Sequence, residues 1–262
     1  MKYYSSFQIT AENSLNNRAI NYGDGLFETM HVKNRTINLW PFHCQRLMTS
    51  LKKLDINPLN ANELRSNVQS LITDNQSYVL KLVVFRDDKS RGYSSRSKKA
   101  QYFMTLNPYI KTSVSDELTV SPIKLSHQNT LAGIKHLNRL EQVLASQQLL
   151  QTDYSDAIMC DQKDRIIETT NKNIILFKNN KIYSPKLNKS GVHGVALSWL
   201  QSQGHKIFWK KIEYADLHKY HGMMVCNSIQ GFKSIKKVGS KILFSEKLNI
   251  AKKIKEQWKK SC

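Results

Sequence analysis

Nowhere in this chain do about 18 apolar residues follow one another, and the apolar positions come instead in short runs whose spacing changes from segment to segment. Tyr78–Arg86 and Gln101–Leu106 are strongly apolar and read as strands. Between Pro41 and Leu54, by contrast, Leu47, Met48, Leu51 and Leu54 recur at helical spacing behind a proline suited to a first turn. A chain that alternates these two periods can bury its apolar faces only by packing helices on sheets. The sequence therefore predicts a mixed α and β protein with no membrane-spanning segment.

The same reading places strands at Leu26–Val32, Thr36–Leu39, Leu118–Leu125, Ala157–Cys160, Arg165–Thr169, Ile174–Phe177, Ile207–Trp209, Met223–Asn227 and Ile242–Phe244. Helices are predicted at Glu63–Ile72, at His136–Leu150 with Leu137, Leu140, Val143 and Leu144 as its buried stripe, at Gly191–Leu200, and from about Ile250 onward. The polar stretch Asp87–Ala100 is long for a hairpin connection and is expected to be a loop near a site. The segment 109–115 is the best linker, dividing the chain into an N-terminal lobe at 1–108 and a C-terminal lobe at 116–262.

Charge and cysteine content narrow the function classes. There are 40 Lys and Arg against 20 Asp and Glu, a formal net charge of +20, which favours anionic small molecules as substrates. No finger spacing or aromatic RNA-binding motif accompanies the basic residues, so no nucleic-acid partner is expected, although a basic RNA-binding protein without catalysis is a remote alternative. Cys44, Cys160, Cys226 and Cys262 lie far apart with no C-x-x-C pair, which argues against a metal site and fits a reducing compartment. With no apolar signal core at the N-terminus, a cytoplasmic protein is expected.

One lysine stands out by its neighbours. The string from Gly133 to Ala145, Gly-Ile-Lys-His-Leu-Asn-Arg-Leu-Glu-Gln-Val-Leu-Ala, closely resembles the segment holding the Schiff-base lysine in aminodeoxychorismate lyases. These belong to the class-IV aminotransferases, the fold-type IV enzymes that use pyridoxal 5′-phosphate. Further pieces follow the order of that class. Arg18 to Thr29 resembles its R-x-x-x-Y-G-D-G-x-F-E-T signature, in which Gly23-Asp24-Gly25 would shape a site wall. His43-Cys44-Gln45-Arg46-Leu47 and the Glu168 to Asn173 pattern match two others.

The resemblance implies an α+β, two-lobed fold: a small α/β N-terminal lobe and a larger, mixed, β-barrel-like C-terminal lobe with helices, assembled as a homodimer. It implies that Lys135 forms the Schiff base and acts as base, that Arg46 grips the cofactor phosphate, and that Glu168 faces the pyridine nitrogen. The main-chain amides of Val192 and His193, on a helix opened by Gly191, and the polar groups of Asn227 and Ser228 would complete the phosphate pocket. Arg91 and Tyr93 would touch the substrate, although only the second half of the class's glycine-rich run survives between Arg86 and Tyr93. The activity implied is conversion of 4-amino-4-deoxychorismate to 4-aminobenzoate and pyruvate, in folate biosynthesis. Amino transfer to D- or branched-chain amino acids is the alternative.

Overall fold

Alternation of buried and exposed side chains decides the strands. In the computed structural model, which describes residues 1–11, 13, 16–112, 115–240, 242–245 and 248–261, they pair into three five-stranded sheets. The chain divides into two units, Met1–Lys111 with Ile134–Asn138, and Thr112–Gly133 with Arg139–Cys262. Ser113 and Val114 of the expected linker, and Cys262, lie outside the described residues.

In the first unit, β1 (Lys2–Ser5), β2 (Gly25–Lys33), β3 (Thr36–Ile37), β4 (Tyr78–Arg86) and β5 (Ala100–Pro108) form one antiparallel sheet in the order β1-β5-β4-β2-β3. On β2 the residues Leu26, Glu28, Met30 and Val32 are buried while those between them are only half-buried, as a period of two requires. Helix α1 (Arg18–Tyr22) is short but well capped: Asn17 accepts the amide of Ala19, and Gly23 closes the other end in the left-handed region at φ 62°. Helix α2 (Trp40–Lys53) carries proline in its first turn and buries His43, Leu47 and Leu51, and α3 (Ala61–Leu71) buries Leu64 and Val68.

The returning segment Ile134–Asn138 departs from the expected helix at His136. Phe27 donates its amide to the Lys135 carbonyl at 2.9 Å, Leu137 donates to the Gly25 carbonyl at 3.0 Å, and His136 bridges Leu26 in antiparallel sense. These residues spend their main-chain groups on the edge of β2, so the helix starts later, at Leu140.

The second unit has two sheets, β11-β10-β9-β12-β13 and β15-β14-β6-β7-β8. The strands are β6 (Glu117–Val120), β7 (Ala157–Cys160), β8 (Ile166–Thr169), β9 (Asn173–Lys178), β10 (Lys181–Pro185), β11 (Ile207–Lys210), β12 (Gly222–Asn227), β13 (Gly231–Ile235), β14 (Lys237–Val238) and β15 (Ile242–Leu243). Leu118, Ile158, Ile174, Met223 and Ile235 belong to one buried cluster drawn from both sheets. Among the described residues the strands do not close into a ring, so the barrel-like lobe expected from the sequence is two sheets sharing a core.

Three helices complete this unit: α4 (Leu140–Leu149), α5 (Val195–Ser202) and α6 (Asn249–Ser261). The stripe predicted to be buried on α4 is not: Leu140 is 68% exposed, Val143 49% and Leu144 47%, whereas Ala145 is buried. Helix α5 begins four residues after the expected Gly191, because Gly191 is held at φ +81° and Val192 pairs with Gly133 as a parallel bridge. Among the described residues no helix is long and apolar enough to cross a membrane.

Candidate active site

Lys135 is half-buried, and its Nζ lies 4.4 Å from the centroid of the Phe27 ring. The main-chain bond between the same two residues fixes this arrangement. Placing the amine over an aromatic face withdraws it from water on that side while leaving the ammonium form partly stabilised by the ring quadrupole. The sequence did not single out Phe27, although its place beside Glu28 in the strand signature was the available signal.

Arg46 projects from α2 toward the carboxylate at the centre of β2. Its Nε–H donates to Glu28 Oε1 at 2.8 Å and its Nη2–H to Oε2 at 2.5 Å, and His43 Nδ1 lies 2.6 Å from the same Oε2. Burial alone would raise the Glu28 pKa, but the Arg46 charge and the His43 hydrogen bond prevail and hold it at about 2. One edge of the Arg46 fork is thus committed to Glu28, and any anion must be met by its other N–H donors. Sequence reasoning missed Glu28, yet a glutamate at a core-facing position of an alternating strand is itself a signal that a cation must be nearby.

The Asp87–Ala100 loop is anchored by a second arginine. Arg18 is buried; its Nε–H donates to Asp24 Oδ2 at 2.8 Å, and Nη1 and Nη2 donate to the carbonyls of Gly92 and Tyr93 at 3.0 and 2.9 Å. Its guanidinium also stacks over Tyr22, whose hydroxyl accepts the Gly92 amide at 2.8 Å. Asp24 takes the Arg86 Nε–H as well, at 2.9 Å, so the aspartate of the glycine-flanked signature joins two arginines. The side chains of Arg91 and Tyr93 are exposed.

In the second unit Glu168, the last but one residue of β8, is a buried carboxylate. Its Oε2 accepts the Val192 amide at 2.9 Å and its Oε1 faces Gln142 Nε2 on α4 at 3.4 Å. Val192 is held from the other side as well, its carbonyl accepting Asn173 Nδ2 at 2.8 Å. The His193 amide donates to the Gly133 carbonyl, and the Gly133 amide to Gly191, both at 2.9 Å. The expectation that the amides of Val192 and His193 point at a phosphate is therefore corrected: both are spent inside the protein. The amides at the true start of α5, those of Val195 and Ala196, are the ones that a helix leaves without an intrahelical acceptor.

The backbone here tolerates no added carbon. A Cβ on Gly191 would lie 2.7 Å from Ile167 Cγ2 and 3.3 Å from Glu168 Oε2, and one on Gly194 would collide with Asn173 Oδ1. Both glycines thus form a cradle of main chain packed against the two polar residues. Asn227 ends β12, where its Oδ1 accepts the amides of Ile229 and Gln230 at 3.1 and 2.7 Å and its Nδ2 faces the Asn171 carbonyl at 3.4 Å. It shapes a turn next to the one that follows Glu168, and Ser228 is its half-buried neighbour.

The turn after Glu168 is itself pinned by Asp156, which is 1% exposed. Asp156 Oδ1 accepts the Ala157 and Thr170 amides and the Thr170 hydroxyl, and Oδ2 accepts the Thr169 hydroxyl and Lys172 Nζ, all at 2.7–3.1 Å. A buried carboxylate with five donors is fully compensated.

Residues 25–238 match the amino-transferase class IV family model, and the chain belongs to that family. Within it, the chain is 30% identical over 227 residues to an aminodeoxychorismate lyase of Vibrio harveyi, covering 83% of this chain and 84% of the relative. The crystal structure of 4-amino-4-deoxychorismate lyase from Pseudomonas aeruginosa superposes with a TM-score of 0.88 at 26% identity, covering 99% of this chain and 98% of the other. A branched-chain aminotransferase from Thermoproteus uzoniensis shares the fold, with a TM-score of 0.83 at 18% identity over 99% and 94% of the two chains. The α+β arrangement read from the sequence is that of the fold-type IV enzymes.

Proposed function

We propose that this chain is a pyridoxal-phosphate-dependent lyase that converts 4-amino-4-deoxychorismate to 4-aminobenzoate and pyruvate, in folate biosynthesis. The observation that carries the reading is Lys135, set over Phe27 within a thirteen-residue string of the lyase type. The similarity to the Vibrio harveyi lyase supports it.

The residues present fit the cofactor. Lys135 would hold it through its aldehyde, Glu168 would face the pyridine nitrogen, and Arg46 would meet the phosphate with donors other than the two taken by Glu28. The main-chain cradle around Gly191 and Gly194 is closed to any side chain, and the start of α5 supplies amides suited to an anion. Asn227 and Ser228 would complete the set. When bound, pyridoxal phosphate supplies an electron sink for the charge left at the amine-bearing carbon of the substrate.

The chain's own groups do the rest. Glu168, oriented by the Val192 amide, would keep a proton on the ring nitrogen. Lys135 would take the proton from the amine-bearing ring carbon and hand one to the departing enolpyruvyl oxygen. Loss of that oxygen leaves an aromatic product, and aromatisation drives the step. Arg91 and Tyr93, on the loop fastened by Arg18, would touch the substrate carboxylates. A second copy of the chain would cover the apolar face of Leu140, Val143 and Leu144, giving a homodimer, and the cytoplasm suits its unpaired thiols.

The test is direct. Purified protein should show visible absorbance from lysine-bound cofactor, lost in Lys135→Ala, and should release 4-aminobenzoate. Brisk amino transfer to branched-chain or D-series keto acids without 4-aminobenzoate would replace the lyase reading by the aminotransferase one.

A further inference from the structure

Glu28 and His43 take no part in the chemistry outlined above, yet both are about 1% exposed. Glu28 has a carboxylate with three donors on it, two from Arg46 and one from His43. Since the carboxylate is ionised it can only accept, so His43 is the tautomer that carries its proton on Nδ1. Its Nε2 is then a bare acceptor, buried without a hydrogen-bond partner among the described residues. Burial and the charges of Arg46 and Lys135 lower the His43 pKa against the opposing pull of Glu28, and so favour the neutral ring. A neutral histidine beside an Arg–Glu pair adds no charge but adds one fixed direction.

That direction passes to Arg46. Two hydrogen bonds to one carboxylate set the plane of a guanidinium, which a single contact does not. We infer that Glu28 and His43 are positioning residues that fix the guanidinium plane of Arg46 and confine it to one anion-binding edge, giving the site its preference for a phosphorylated cofactor. The inference rests on the reading that Arg46 takes the cofactor phosphate. His43 acts one step further out, by holding Glu28 in place.

The phosphate preference can be measured as the ratio of dissociation constants for pyridoxal and pyridoxal phosphate, titrated into the full chain freed of cofactor and read by absorbance. Glu28→Gln keeps the shape but removes the charge-assisted acceptor, and the ratio should fall about tenfold or more. His43→Leu should lower it in the same direction, and His43→Asn, whose Nδ2 stands where Nδ1 stood, should restore most of it. In Arg46→Met the ratio should already be lost, and adding Glu28→Gln should change nothing further, because the glutamate acts only through the arginine. A pair that served stability alone would move the melting temperature but not this ratio.

The inference is overturned if Glu28→Gln keeps the wild-type ratio while Arg46→Met loses it, or if Glu28→Gln lowers the ratio equally in both backgrounds. If Arg46→Met itself keeps the preference, the phosphate role of Arg46 falls and the positioning role with it. Should Glu28→Gln not fold, as judged by circular dichroism, the contrast between His43→Leu and His43→Asn carries the test, and equal ratios in those two overturn the inference.

Discussion

Replacing Lys172 by methionine keeps the stem that packs in the interior and removes only the charge. Lys172 Nζ lies 2.9 Å from Asp156 Oδ2 and 2.7 Å from Asn171 Oδ1, with the lysine 7% exposed and the aspartate 1%. At that separation the gross attraction is about 6 kcal/mol for an effective dielectric constant of ~20. Most of this offsets the desolvation of the two ions, so the pair itself stabilises little. Removing one partner is different, because it leaves the other charge buried; such changes cost about 3–5 kcal/mol. Asp156 keeps four other donors, which places the expected loss near the lower end, about 3 kcal/mol, or roughly 6–12 °C in melting temperature for a unit of this size. Three of the four tryptophans, Trp199, Trp209 and Trp258, lie in the second unit and Trp40 in the first, so fluorescence during heating of a Trp40→Phe background follows the unfolding of the part that matters. Lys172→Met with Asp156→Asn should recover a large share of the loss. A single Lys172→Met variant that melts within a degree of wild type would refute the reasoning.

Acid should weaken the first unit through Glu28. Its folded pKa of about 2 lies below the ordinary glutamate value of 4.5, so its contribution is present above pH 4.5 and is lost as pH falls toward 2, on the order of 3 kcal/mol across that window; Glu28→Gln should flatten this part of a stability-against-pH curve. Gly191→Ala combines a left-handed backbone with contacts of 2.7 and 2.9 Å to Ile167 and Leu187, and should cost roughly 2–5 kcal/mol in a denaturant titration. Arg18→Met releases the carbonyls of Gly92 and Tyr93, and trypsin should then cut after the exposed Arg91 several times faster, an unchanged rate being the contrary result. If a second copy covers α4, Leu144→Lys should shift the protein toward monomer in sedimentation at micromolar concentration.

Much of this protein is written in local sequence. The apolar runs that became β4, β5, β7 and β12, and the helical spacing behind Pro41 that became α2, each carry their own period. A period needs no partner to be visible. Lys135 was singled out in another way, through a string of neighbours. Yet its setting was not: that string suggested a helix from His136, and pairing with β2 overrode it up to Leu140. Likewise α5 starts at Val195 because Gly133 claims Val192 as a bridge partner, a residue far away in sequence. Leu140, Val143 and Leu144 have a core stripe's spacing and lie exposed, since spacing says which residues share a face but not what the face meets.

Polar residues depended most on the tertiary structure. Glu28 sat in a recognisable signature, but only β2 packed beneath α2 gives it Arg46 and His43; only the fold commits the Val192 amide to Glu168 instead of an anion. Sequence by itself determined where the chain can be strand or helix and which lysine is unusual, because those are properties of neighbouring residues. The fold decided which donors remain for a ligand, because each buried polar group must first be satisfied by whatever long-range packing brings to it.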